Sequence, residues 1–174
     1  MKKLLYVLIF ALILISAICA NLFLNQNSES RVDVHYLGMN FSVPSNHMLI
    51  GLIQGGNDLL VLKYGDELSK QYIGFTNESK PSGIDYQCEL QEFYHDVFTE
   101  AVNSNCNAEE MGAFKKVFLS NNEFGQWKNN DFISYYISGD KGVFLFVILK
   151  EKVIRINSDY LALQELKEIV LQHL

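Results

Sequence analysis

Val143-Phe144-Leu145-Phe146-Val147-Ile148-Leu149 is an unbroken apolar run between two turn signals, Gly139-Asp140-Lys141-Gly142 and Lys150-Glu151-Lys152. A run this short, rich in β-branched and aromatic residues and bounded by turn formers, reads as a strand. It has no polar alternate to show to water, so both of its faces need cover, and a central strand beneath a helix meets that demand.

Further strands flank it. Phe132 to Ser138 and Glu123 to Trp127 lie before the run and Val153 to Asn157 after it. Nearer the N-terminus, Val32, Val34 and Tyr36 alternate with Asp33 and His35, the pattern of a half-buried strand. Gly38-Met39-Asn40 can turn that strand into Phe41-Ser42-Val43, which Pro44 ends. Met48 to Ile53 and Leu59 to Tyr64 flank Gly55-Gly56-Asn57-Asp58 and suit a hairpin, and Tyr72 to Thr76 reads as another strand.

Helical spacing takes over in between. Tyr86, Leu90, Phe93, Tyr94, Val97, Phe98 and Ala101 recur at three and four residues, predicting a helix from Tyr86 to about Asn103 with Asp85 as its N-cap. Asn107 with Glu110 has the form of a capping box, and Met111, Phe114, Val117 and Phe118 mark a second, shorter helix that Gly112 weakens. Ser158 is placed to cap a last helix over Asp159 to Gln172, with Leu163, Leu166 and Val170 on one side. The expected class is α+β: a mostly antiparallel sheet with two or three packed helices.

An N-terminal hydrophobic signal or anchor helix precedes this domain. Lys2 and Lys3 are followed by Leu4 to Ala20 without a charge, the order of a secretory signal. Ile18 before Cys19 argues against the small residue that lipoprotein processing needs, and neither Ala20 nor Cys19 ends a clean small-x-small site. Leu4 to Leu24 is also long enough to span a bilayer, which takes about 20 apolar residues. The two lysines would then hold the N-terminus inside. Either way the predicted organisation is residues 1–24 as signal peptide or single-pass anchor, 25–31 as linker, and 32–174 as one domain. That domain faces the periplasm or exterior of a bacterial-type envelope, tethered at the inner membrane or cleaved free. The sequons Asn40-Phe41-Ser42 and Asn77-Glu78-Ser79 have no use in such a source.

Of 14 basic and 20 acidic residues, only Lys2 and Lys3 precede the hydrophobic segment, so the exported part carries 12 minus 20, or −8. Such a surface repels nucleic acid and attracts basic partners. Nucleotide loops, zinc-peptidase motifs and nucleophile elbows are missing from the sequence, the four histidines share no ligand spacing, and no cofactor or metal is expected.

Cys88 and Cys106 form an even pair in an oxidising compartment, which favours a disulfide. A helix unbroken from Tyr86 would carry them too far apart, so a bridge requires that the helix break or start late; separate thiols and intermolecular pairing are the alternatives. The grouping nearest to a catalytic one is His95 beside Asp96 and one turn from Glu92, which a solvated helix face explains equally. Trp127, Tyr135 and Tyr136 are amphipathic aromatics among polar neighbours, suited to a recognition surface or simply to strands. The function expected first is therefore a non-catalytic interaction protein of the envelope, an accessory subunit or an inhibitor or immunity-like binder with a protein partner bearing a basic face. A small-molecule or lipid-binding domain comes second and an enzyme third.

Overall fold

The structure, a computed structural model, describes residues 30–47, 49–53, 58–66, 71–78, 87–99, 105–128, 132–150 and 152–171. The segment expected to be a signal or anchor lies outside them, and among the described residues no helix is long and apolar enough to cross a membrane.

The architecture is α+β. A hairpin of β1 (Arg31–Tyr36) and β2 (Met39–Pro44) stands apart from a seven-stranded, wholly antiparallel sheet. In chain order the sheet's strands are β3 (Leu49–Ile53), β4 (Leu59–Lys63), β5 (Tyr72–Glu78), β6 (Glu123–Lys128), β7 (Ile133–Gly139), β8 (Gly142–Ile148) and β9 (Val153–Ser158). In space they run β3-β4-β5-β9-β8-β7-β6. The last strand thus lies in the middle, joining the β3–β5 meander to the β6–β8 meander.

The apolar run that suggested a central strand is β8. Val143, Leu145 and Val147 point to one face, where β1, β2 and helix α3 (Leu163–Leu171) bury them in a core with Phe41, Phe75, Ile156 and Leu166. Phe146 points to the other face, beneath α1 (Leu90–Thr99), α2 (Ala108–Phe114) and a π-helical turn at Lys115–Leu119 that continues α2.

Three expected boundaries shift, each for a local reason. The first helix begins at Leu90, because Gln87 has φ 56°, a left-handed conformation no α-helix can run through; the Asp85 cap and residues 100–103 lie outside the described residues. The last helix begins at Leu163. Ser158 Oγ instead accepts from the amides of Tyr160 and Leu161, both at 3.0 Å, and fastens the turn before it. Glu165 reaches back to the Ala162 amide at 2.8 Å, the glutamate half of a capping box. The first hairpin turns on Leu37 and Gly38, both at positive φ, rather than on Gly38 to Asn40; positive φ at both central residues is the type I′ geometry whose twist matches paired strands.

Gly142 opens β8 at φ 109°, and a Cβ there would stand 2.3 Å from the Ser158 carbonyl oxygen. Only glycine lets the β7–β8 turn close against the end of β9.

Candidate functional site

The face under α1 and α2 is rich in rings. Tyr94 of α1 lies over Phe146 with centroids 4.4 Å apart, and Phe114 of α2 meets Phe93 and Tyr94 edge-on at 5.8 and 5.9 Å. Planar groups meeting at steep angles leave wedges that branched aliphatics would fill. One such wedge, bounded by the described residues, is an open cleft of about 310 Å³.

Phe144 and Phe146 of β8 form its base, and Phe93 and Tyr94 of α1 one side. Ala113 and Phe114 of α2 and Val117 and Phe118 of the π turn close the other. Single π turns inside helices recur at functional sites because they widen the helix locally and turn side chains out of register. Here that widening accompanies Val117 at 69% exposure and Phe118 at 38%, an apolar lip at the mouth.

Among the described residues the charged groups lining the cleft are Glu78, Arg155 and Glu110. Glu78 ends β5 and Arg155 sits in β9, diagonal to each other and two residues off register on one face, since the ladder pairs Glu78 with Val153 and Thr76 with Arg155. Arg155 Nε stands 3.3 Å from Glu78 Oε2, yet neither atom has a hydrogen bond of good geometry. Burial pushes the Glu78 carboxyl above its ordinary range, while the Arg155 charge and a hydrogen bond from Tyr94 pull it part of the way back. Glu110 comes from the first turn of α2, where Asn107 Oδ1 caps the Glu109 and Glu110 amides at 2.9 and 3.3 Å.

Cys88 and Cys106 are joined, with Cα atoms 4.9 Å apart. Cys88 lies before α1 rather than on it, because the left-handed Gln87 delays the helix to Leu90, and Cys106 lies just before the Asn107 cap of α2. The bridge thereby ties the start of α1 to the start of α2, the two helices that wall the cleft. Glu92 brings a carboxylate oxygen within 4.8 Å of both sulfurs. This trio could hold a metal only if the bridge were reduced, since a metal binds thiolate.

The residues singled out in the sequence fall elsewhere. His95 Nδ1 lies 2.8 Å from the Tyr135 hydroxyl, and Tyr135 is buried, stacked on Phe98 at 4.9 Å. Burial raises the Tyr135 hydroxyl's pKa, and the Asp96 charge raises it further. Asp96 is itself buried, and its Oδ2 has no hydrogen-bond partner among the described residues. Trp127 and Tyr136 lie on the opposite face of the sheet from Tyr135, with Lys167 of α3 held 5.0 Å above each ring. The three aromatics therefore form no common surface, because Tyr135 and Tyr136 are neighbours in one strand and must point opposite ways.

Most of the cleft's residues carry a helix or strand pattern in the sequence and no mark of a common site. The one signal in the sequence was Arg155, a cation alternating with the apolar positions of Val153-Ile154-Arg155-Ile156-Asn157. Comparison with family models, with curated proteins and with solved structures found no match.

Proposed function

We propose that this chain is a non-catalytic binding protein of the bacterial cell envelope, held by or released from residues 1–24 on the outer side of the membrane, and that it binds a small molecule with an apolar body. The observation that carries this reading is the cleft of about 310 Å³, walled by aromatic side chains, with a poorly bonded Glu78–Arg155 pair in its lining. Small-molecule sites combine those features: mostly apolar walls, a few converging polar groups and a volume of roughly 300 to 1,000 Å³.

A protein partner is the second reading, supported by the exposed Val117, Phe118 and Phe124 along the π turn and β6. Clustered exposed apolar side chains are a mark of interaction sites. The exported charge of −8 adds a preference for a partner with a basic face.

Native mass spectrometry of the full-length chain, purified from its own cells in mild detergent, separates the two. Under the first reading a small molecule is retained by the wild type and lost from Ala113→Phe, whose ring would occupy the cleft. A stoichiometric protein partner with no retained small molecule, unaffected by that substitution, would replace the first reading with the second.

A further inference from the structure

The lining of the cleft also bears on the charge of its ligand, on the premise that the cleft is a binding site. Two carboxylates face it, Glu78 from the sheet and Glu110 from the helical layer, against the single guanidinium of Arg155. Arg155 Nε stands 3.3 Å from Glu78 Oε2, so these two charges offset one another although the contact makes no well-aligned hydrogen bond. With all three ionised, the described lining carries one negative charge more than positive. Around that excess stand aromatic rings, among them Tyr94, Phe114 and Phe146, whose centroids lie 4.4 to 6.3 Å from one another. The face of an aromatic ring is the negative end of its quadrupole and attracts cations, most strongly those that shed water easily, as quaternary ammonium ions do. An anion would meet ring faces and a surplus carboxylate together. A neutral guest would gain from the walls but nothing from the charge. At long range the −8 of the exported part draws cations toward the surface.

We propose that the cleft binds an organic cation: an ammonium group, alkylated or aryl-bearing, on an apolar body of about ten non-hydrogen atoms, the size that 310 Å³ admits at roughly 30 Å³ per heavy atom of a liquid. Tyr94, Phe114 and Phe146 supply aromatic walls, and Glu110 the counter-charge left over among the described lining residues once Arg155 is set against Glu78.

Three probes of similar shape and different charge test this on the full-length chain in maltoside micelles: benzyltrimethylammonium, the neutral 2-methyl-1-phenylpropan-2-ol and the anion 3-phenylpropionate, with affinities measured by ligand-observed NMR. The cation is expected to bind at least tenfold tighter than the neutral probe, with the anion weakest. Glu110→Gln should weaken the cation about threefold and leave the neutral probe unchanged, and Ala113→Phe should abolish binding of both. Glu110 is only partly buried, so its substitution tests charge without threatening the fold. Equal or tighter binding of the neutral or anionic probe, blocked by Ala113→Phe, overturns the cationic assignment and leaves the cleft as a binding site. Failure of the cation to bind at all also overturns it, and the retained-ligand measurement then judges the cleft independently.

Discussion

The two faces of the sheet solve the same packing problem with different residues. Beneath α3 and the β1–β2 hairpin the core is dominated by branched aliphatics with a few rings, and Leu62, Ile73, Leu145, Ile154, Ile156 and Leu166 are fully buried. Beneath α1 and α2 rings take a larger share, Phe93, Tyr94, Phe98, Tyr135 and Phe146 being as many as the buried aliphatics, and the layer includes buried or half-buried charge at Asp96, Glu78 and Arg155. Aliphatic branches interdigitate to crystal-like density, whereas tilted rings leave gaps and carboxylates demand partners. One face is therefore organised for stability, and the other gives up some packing for a cleft.

The sharpest way to break this comparison is to remove one ring from each face. Phe75→Ala, in the closed core, is expected to cost about 3 to 5 kcal/mol in chemical denaturation, while Phe114→Ala should cost roughly half as much because its ring already borders open space. Equal losses would mean that the cleft face is packed as tightly as its opposite. Next in size, replacing both Cys88 and Cys106 by Ser opens a loop of sequence separation 18, worth about 3 kcal/mol in the chain-entropy view. Amide exchange should then rise in α1 and α2 and stay unchanged in α3.

Gly112 sits inside α2, and a Cβ there would meet nothing within 4 Å. Gly112→Ala should therefore stabilise the protein by about 0.5 to 1 kcal/mol in the same denaturation assay. The smallest effect concerns pH. With its native carboxyl raised by burial, Glu78 adds relative stability below the ordinary glutamate value of 4.5, and that contribution is lost as pH climbs from there through the raised native value. The stability of the wild type relative to Glu78→Gln should thus decline with rising pH across that window. A flat difference would show that Arg155 and Tyr94 offset the burial in full.

Most of the sheet could be read from the sequence because each strand writes its own alternation, and β8 wrote the lack of one. The start of α1 could not, since the apolar spacing of Tyr86 and Leu90 continues across Gln87 and nothing in that spacing marks a left-handed residue. The cleft was hidden for a different reason. Glu78 and Arg155 meet only because β5 pairs with β9, a contact between distant parts of the chain that no local pattern encodes. Tyr135 and Tyr136 invited a joint reading as neighbours in sequence, and the pleat sends them to opposite faces.

The place of β9 also sets an order of events in the life of the chain. The β3–β5 and β6–β8 meanders share no ladder of their own, and only Val153–Ser158 bridges them. A ribosome delivers that strand after both meanders, so until then each half-sheet has an unpaired edge awaiting the same six residues. Such edges are where chaperones bind and where aggregation begins. A premature stop before residue 153 would leave two sticky fragments on one chain rather than a shortened domain.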